Sequence, residues 1–300
     1  MTDETSLSRL KEHFLKEQKL PSAYWAIAQR WFIPMFEQLK MHQLSTNAPL
    51  LIGVNGAQGS GKSTVTALMV KYFNEQANIP TIGFSIDDFY YSKAKRKQLA
   101  SDIHPLLETR GVPGTHDTQL LSSTLDSLLA GDDCLIPKFN KANDDLHEKS
   151  SWEVVKRSTQ YKIIILEGWC VGSRSVNENT LSNTPNILEE LNDPGLDWRK
   201  YVNTQLKQRY EPIFDRLNKL ILLKAPSFEC VYKWRLEQEH KMRERLSSSS
   251  AKVGMSDSEI HTFIQYYQRI TEENLQTLPE YCNYVFELDT NRNICNCDNI

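Results

Sequence analysis

The stretch "PLLIGVNGAQGSGKSTVTALMVKYF" (residues 49–73) constrains the chain more tightly than any other. Gly56, Gly61, Lys62 and Ser63 satisfy the spacing G-x-x-x-x-G-K-[ST]. An apolar strand-like run precedes the glycines, and Val65, Leu68, Met69 and Tyr72 fall on one face of a helix that follows them. Glycines let such a loop fold so that backbone N–H groups converge on phosphate oxygens, and the helix start adds its dipole. Residues Gly56, Ala57, Gln58, Gly59, Ser60, Gly61, Lys62, Ser63 and Thr64 are therefore expected to cradle nucleotide phosphates. Lys62 would reach the β- and γ-phosphates and the Ser63 hydroxyl would face Mg²⁺. The dinucleotide fingerprint G-x-G-x-x-G is not met, because the order here is G-x-x-G-x-G.

From residue 50 onward, short apolar runs alternate with helical stretches: "LLIGV", "TIGFSI", "CLIP", "KIIIL", "KLILL" and "YVFEL". Runs that are apolar on both faces suit strands covered by helices on both sides, which predicts a mostly parallel α/β sheet. Ahead of it, Leu7, Leu10 and Phe14, then Tyr24, Ile27, Trp31 and Met35, recur at helix spacing and predict a helical N-terminal extension over residues 1–48. Pro34 is expected to kink or end the second helix. The charged run "KAKRK" (93–97) reads as a solvated helix face, and "SSSS" (247–250) as a flexible loop at the tip of a helical excursion. Residues 293–300 read as a tail, whose "CNC" lacks the second close pair of a metal clip.

A net charge of −3 with 24% charged residues offers no basic face for nucleic acid. No run approaches the roughly 20 apolar residues of a membrane span, the N-terminus shows no secretory pattern, and six scattered cysteines read as reduced thiols. The expected setting is cytoplasmic, with a small-molecule partner and neither nucleic acid nor membrane. Among phosphate-loop proteins, a GTPase would carry N-K-x-D, yet "NKAN" (140–143) ends in Asn, and the transporter signature L-S-G-G-Q is missing. A kinase remains. "SIDDFY" (85–90) then places Asp87 and Asp88 at a strand end, where ligands of open parallel sheets bind. Because a strand alternates its faces, only one of two adjacent aspartates can serve one pocket. "KIIILEGW" ends a second apolar strand in Glu167, the acidic strand end expected of a Walker B element, or else a strand-end cap.

The segments "GAQGSGKST", "SIDDFY", "RGVPGTHD", "IPKFNK", "ILEGWCVG" and "VYKWRLEQE", in this order, resemble the glycerate kinase branch of the phosphoribulokinase, uridine kinase and pantothenate kinase superfamily, over residues 50 to 292. The resemblance implies a three-layer P-loop NTPase fold over 49–292, with a helical lid about 226–256. It implies ATP and Mg²⁺ as cofactors and transfer of phosphate to a hydroxyl of a small metabolite, D-glycerate first. It also implies Asp87 as the base, with Asp88 left to the strand-end turn, and Glu167 acting near Mg²⁺ through water. Arg235 is the implied lid arginine, against the alternative of a plain i,i+4 pair with Glu239. Asn291 and Arg292, in "LDTNRNI", are implied to flank adenine.

For the acceptor, a hydroxy-acid needs a cationic clamp, and Arg110, Lys138 and Lys141 lie in the loops expected to face Asp87. His116, with Asp117, either orients the acceptor or starts the helix "DTQLLSSTLDSLL". A nucleoside acceptor would instead use Phe139 and Asn140. Glycerate kinase relatives tend to read F-D-K-[SA] with an arginine soon after, whereas this chain reads "FNKANDDL", with Asn140 for the Asp and Leu146 for the Arg. Three readings follow: a D-glycerate kinase, a kinase of another small acceptor such as a nucleoside or pantothenate-like alcohol, and a nucleotide-dependent regulatory protein.

Overall fold

Five of the apolar runs become parallel strands of one sheet in the computed structural model, which describes residues 4–46, 48–246 and 254–298. The strands are β1 (Leu50–Gly56), β2 (Thr81–Ser85), the short β3 (Cys134–Ile136), β4 (Phe139–Asn140), β5 (Asp145–Leu146) and β6 (Glu153–Val155), then β7 (Ile163–Gly168), β8 (Lys219–Lys224), β9 (Tyr284–Leu288) and β10 (Ile294–Asp298). The main sheet has six strands in the order β10-β9-β8-β1-β7-β2, all parallel except β10. β1 bonds to β7 on one side and β8 on the other, so the chain reverses direction across the sheet where the phosphate loop leaves β1. Such a reversal opens a crevice at the carboxyl ends of the strands. β1 and β7 are buried along their whole length, as their unbroken apolar pattern requires.

The helices are α1 (Glu4–Gln18), α2 (Ala23–Ile27), α3 (Ile33–Leu44), α4 (Lys62–Glu75), α5 (Lys93–Asp102), α6 (Thr118–Ala130), α7 (Ile187–Asn192), α8 (Asp197–Gln205), α9 (Glu211–Phe214), α10 (Phe228–Leu246) and α11 (Asp257–Thr277). α4 lies on β1, β2 and β7, and α1 and α3 pack onto α4. Phe32, Phe36, Tyr72, Phe73 and Phe286 join the N-terminal helices to α4 and β9 through ring contacts with centroids 5.2–6.5 Å apart. The extension thus shares one core with the sheet, Leu10, Phe14, Met35 and Phe36 being buried in the same cluster as Val65, Leu68 and Met69. Among the described residues no helix is long and apolar enough to cross a membrane.

Several sequence expectations are corrected. Pro34 does not end its helix: a π turn, Ala28–Phe32, sits between α2 and α3 and widens the coil just ahead of the proline. A second π turn, Leu206–Tyr210, precedes Pro212 in the same way between α8 and α9. A proline lacks the N–H and crowds the carbonyl four residues back, and the wider turn accommodates both. "CLIP" is outside the main sheet, since β3 pairs antiparallel with β6 in a separate ribbon. Residues 294–298, read as part of a tail, pair antiparallel with β9 as an edge strand. "KAKRK" is only partly a solvated face, because Arg96 is 0% exposed. Its guanidinium donates to the carbonyls of Tyr91, Glu108 and Asp144 at 3.2, 2.6 and 2.6 Å, with the Asp144 carboxylate at 3.0 Å. "SSSS" lies outside the described residues.

Candidate active site

Strand register brings the acidic positions to one end of the sheet. Glu167 is level with Ser85 of β2 and Val54 of β1, and the phosphate loop begins just beyond Val54. The loop enters α4 through Gly61, whose φ of +94° is open to glycine and strained for other residues. Gly59, at φ +80°, faces α10, and a Cβ there would meet Trp234 Cβ at 2.6 Å. Ser63 Oγ donates to Glu167 Oε1 at 2.9 Å, so the two expected metal-side residues stand together. Glu167 is 7% exposed and its Oε2 has no partner among the described residues. Burial pushes its carboxyl up, against the pull of Lys62. A hydroxyl and a buried carboxylate with one oxygen free, beside a lysine at a helix N-terminus, is a donor set that fits Mg²⁺-bound phosphates.

The two aspartates lie just past the end of β2 rather than in the strand, and the turn there, not strand alternation, separates them. The chain leaves β2 through a 3₁₀ turn, Ile86–Phe89, closed by Ser85 Oγ, which accepts from Asp87 N–H at 3.2 Å. Asp87 Oδ2 receives Lys141 Nζ at 2.7 Å, and Oδ1 receives the Tyr90 hydroxyl at 3.1 Å. Burial raises its pKa, but Lys141 and Lys62 outweigh burial and hold it at about 2. Asp88 turns to the neighbouring hairpin, where Oδ1 accepts from Phe139 N–H at 3.2 Å and Lys138 Nζ stands 4.0 Å from Oδ2. Burial pushes the Asp88 carboxyl up, so the adjacent residues titrate in opposite directions. A cleft of about 530 Å³ is lined by Ser63, Ser85, Asp88, Lys138 and Glu167, and by Phe14, Glu17 and Gln18 of α1.

The loop at 110–117 is held from below, where Tyr267 Oη donates to Arg110 O and Trp169 Nε1 to Gly111 O, both at 3.2 Å. Most of its expected cations are engaged. Arg110 pairs with Asp144 and lies over the Phe139 ring at 5.5 Å. Lys138 pairs with Glu153 at 3.2 Å. Lys141, 62% exposed, is shared with Asp87 alone among the ion pairs of the described residues. His116 is 1% exposed and stacks on Tyr90 with centroids 4.2 Å apart, its Nδ1 2.8 Å from the Tyr210 hydroxyl. It does not cap the helix: Asp117 does, accepting from Leu120 N–H at 2.9 Å. Asn140 Oδ1 accepts from the amides of Ala142 and Asn143 at 3.0 and 3.1 Å, and Leu146 pairs with Phe139 across β4 and β5. Both departures from the family pattern therefore build this hairpin.

On α10, Arg235 forms the i,i+4 pair with Glu239 at 2.7 Å, and Glu239, 2% exposed, also accepts from Met255 N–H at 2.7 Å. Trp234 Nε1 donates to Thr290 O at 2.8 Å, and Arg292 lies 5.7 Å over its ring while pairing with Glu237 at 2.5 Å. Asn291 sits in a turn whose amide donates to Asp289 Oδ1 at 2.8 Å. Trp234 thus ties the phosphate loop, α10 and the segment after β9 together.

No protein-family model matches the chain. It is 33% identical to the uncharacterized kinase mug58 of Schizosaccharomyces pombe over 247 residues, covering 79% of this chain and 81% of that protein. It is 28% identical to the chloroplastic D-glycerate 3-kinase of Arabidopsis thaliana over 283 residues, 88% of this chain and 58% of that longer protein. The chain belongs to the D-glycerate 3-kinase-like P-loop kinases. The fold agrees: the D-glycerate 3-kinase structure from Cryptococcus neoformans superposes with a TM-score of 0.73 at 23% identity, covering 88% of this chain and 98% of that one. This kinase is accordingly an ATP-dependent small-molecule kinase. Sequence reading missed Tyr90, Tyr210, Asp144 and Trp234 as site builders. Tyr90 stands within "SIDDFY" and was open to notice, whereas Tyr210 and Asp144 carry no local signal.

Proposed function

We propose that this kinase transfers the γ-phosphoryl group of ATP, with Mg²⁺, to a hydroxyl of a small hydroxy-acid, converting D-glycerate to 3-phosphoglycerate. The observation that carries the reading is Asp87, an ionised carboxylate beside the Ser63–Glu167 pair whose second oxygen is bound by the exposed ammonium of Lys141.

In this reading the phosphate loop, with Lys62, would hold the β- and γ-phosphates, and Ser63 and Glu167 would hold the metal. When bound, Mg²⁺ supplies charge neutralisation at those phosphates. Asp87 accepts the hydroxyl proton as the new O–P bond forms and the bond from the γ-phosphorus to the β-bridging oxygen breaks, with ADP leaving. Phosphoryl transfer is dominated by positioning, so a carboxylate this acidic serves as well by orienting the hydroxyl as by full deprotonation. Lys141 lies within reach of both the base and an acceptor carboxylate, and Arg110 and Lys138 hold the surrounding hairpin through their acidic partners. Arg235, on the lid helix behind Trp234, is assigned to closure over the phosphates, and Asn291 and Arg292 to the adenine side.

A nucleoside acceptor would need a free aromatic face. Phe139 is 8% exposed, packed edge-on to Tyr90 at 5.3 Å and covered by Arg110 and Arg96, which favours the hydroxy-acid. A regulatory protein without turnover has no use for a base beside the γ-phosphate.

The test is ADP release and product identification with Mg²⁺-ATP and D-glycerate, L-glycerate, uridine, pantothenate or ribulose 5-phosphate. Turnover highest on D-glycerate supports the reading; preference for uridine or pantothenate, or tight ATP binding without turnover, contradicts it.

A further inference from the structure

Tyr210 is fully buried at the end of the π turn that precedes Pro212, and its oxygen accepts the Gly114 N–H at 2.8 Å. The same oxygen lies 2.8 Å from His116 Nδ1. The other ring nitrogen, Nε2, is buried and has no partner among the described residues. Burial pushes the Tyr210 hydroxyl well above its usual range and pulls His116 down to about 4, so the phenol keeps its proton and the imidazole is neutral.

Counting protons settles the tautomer. If Nδ1 carried the imidazole proton and donated to Tyr210, the phenol proton would be stranded in the interior beside an oxygen already receiving Gly114. If instead the phenol donates to Nδ1, only the imidazole proton, now on Nε2, lacks an acceptor, whereas the first arrangement leaves both the phenol proton and a bare Nε2 unpaired. Each buried unsatisfied polar group costs about 1–3 kcal/mol, so the arrangement that leaves one rather than two is selected. That leaves one N–H with nothing in the described protein to receive it. The ring carrying it is stacked on Tyr90, which itself donates to Asp87 Oδ1 at 3.1 Å, and His116 lies within electrostatic reach of Asp87.

We propose that Tyr210 is a positioning residue that locks His116 as the neutral Nε2–H tautomer, presenting one hydrogen-bond donor to an oxygen of the acceptor next to the hydroxyl that Asp87 receives. This deepens the function proposed above and rests on it. The ligand chemistry it selects is a small polyhydroxy compound or hydroxy-acid with an oxygen beside the reacting hydroxyl. A site built to donate to that oxygen discriminates strongly against an analogue lacking it, because the buried N–H is then unpaired.

The test combines ¹⁵N NMR of the full-length, ¹⁵N-histidine-labelled protein, with His116 assigned by His116→Gln, and steady-state kinetics of wild type and Tyr210→Phe. The proposal expects wild-type His116 with a protonated Nε2 and a proton-free Nδ1, and a mixture of tautomers in Tyr210→Phe. It also expects the acceptor KM of Tyr210→Phe to rise about five- to tenfold at unchanged ATP KM. Wild type should also prefer D-glycerate over 3-hydroxypropanoate, which lacks the neighbouring hydroxyl, and Tyr210→Phe should narrow that preference. A wild-type proton on Nδ1, or a Tyr210→Phe enzyme with wild-type acceptor KM and preference, overturns it. If Tyr210→Phe loses stability instead, the wild-type tautomer and the 3-hydroxypropanoate comparison still decide. If wild type turns over no acceptor, the function proposed above fails and the donor role with it, while the NMR signal separately decides the tautomer.

Discussion

The nucleotide half of the site and the acceptor half are assembled on opposite principles. The phosphate loop, Ser63 and Glu167 come from two adjacent strand ends and one helix start, and their positions follow from strand register and loop geometry alone. The acceptor half draws on the loop at 110–117, the β4–β5 hairpin, the π turn ending at Tyr210 and the lid. Its charges are largely spent on one another: Arg110 on Asp144, Lys138 on Glu153, Arg235 on Glu239. Counting cations in loops therefore overstates a binding site, because a cation already paired with a carboxylate is hardly a clamp. What distinguishes the acceptor half is instead the exposed Lys141, whose ion-pair partner is the proposed base Asp87 itself, and the Nε2 of His116, which has no partner among the described residues.

Substitutions sharpen the contrast. Lys62→Ala removes a positioned cation of the nucleotide half and should lower kcat by about 10²–10³-fold, measured by ADP release at saturating acceptor; a smaller loss than for Lys141→Ala would erase the distinction. In the acceptor half, His116 has a folded pKa of about 4 against the usual 6.5. A depressed histidine pKa means that the unfolded chain binds the extra proton between those values. Stability is thus full above pH 6.5 and declines as pH falls toward 4, by about 3 kcal/mol at most. Denaturant unfolding from pH 7 to 4 should show this slope, and His116→Gln should flatten it. Lys141→Ala should raise acceptor KM about 10–100-fold, the range of a charge-assisted bond, and leave ATP KM unchanged. It also removes the main charge lowering the Asp87 pKa, so the acid limb of the pH–rate profile should move to higher pH. Asp88→Asn keeps an oxygen for the Phe139 amide and should change kcat by no more than about threefold.

The same division describes what was legible in the sequence. β1, β2, β7, β8 and β9 were readable as apolar runs, and the phosphate loop as a spacing, because these features are contiguous. "CLIP" was misplaced because a three-residue apolar run looks alike in sequence in a main sheet and in a side ribbon, although the ribbon leaves Leu135 exposed. Arg96 was hidden inside a basic run, and only the distant carbonyls of Glu108 and Asp144 reveal it as a buried staple. Trp234 carries no signal of its own in the sequence, yet it meets Gly59 of the phosphate loop. Tyr210 was beyond reach, since its role depends on residues some 94 positions away.

The assignment of chemistry to Asp87 and of structure to Asp88 is tested most directly by measuring D-glycerate-dependent ADP release and ATP affinity for wild type, Asp87→Asn and Asp88→Asn in parallel. The account predicts a loss of roughly 10²–10⁴-fold in kcat for Asp87→Asn with ATP affinity retained, and near-wild-type turnover for Asp88→Asn. Wild-type turnover in Asp87→Asn, or a greater loss in Asp88→Asn, would contradict it.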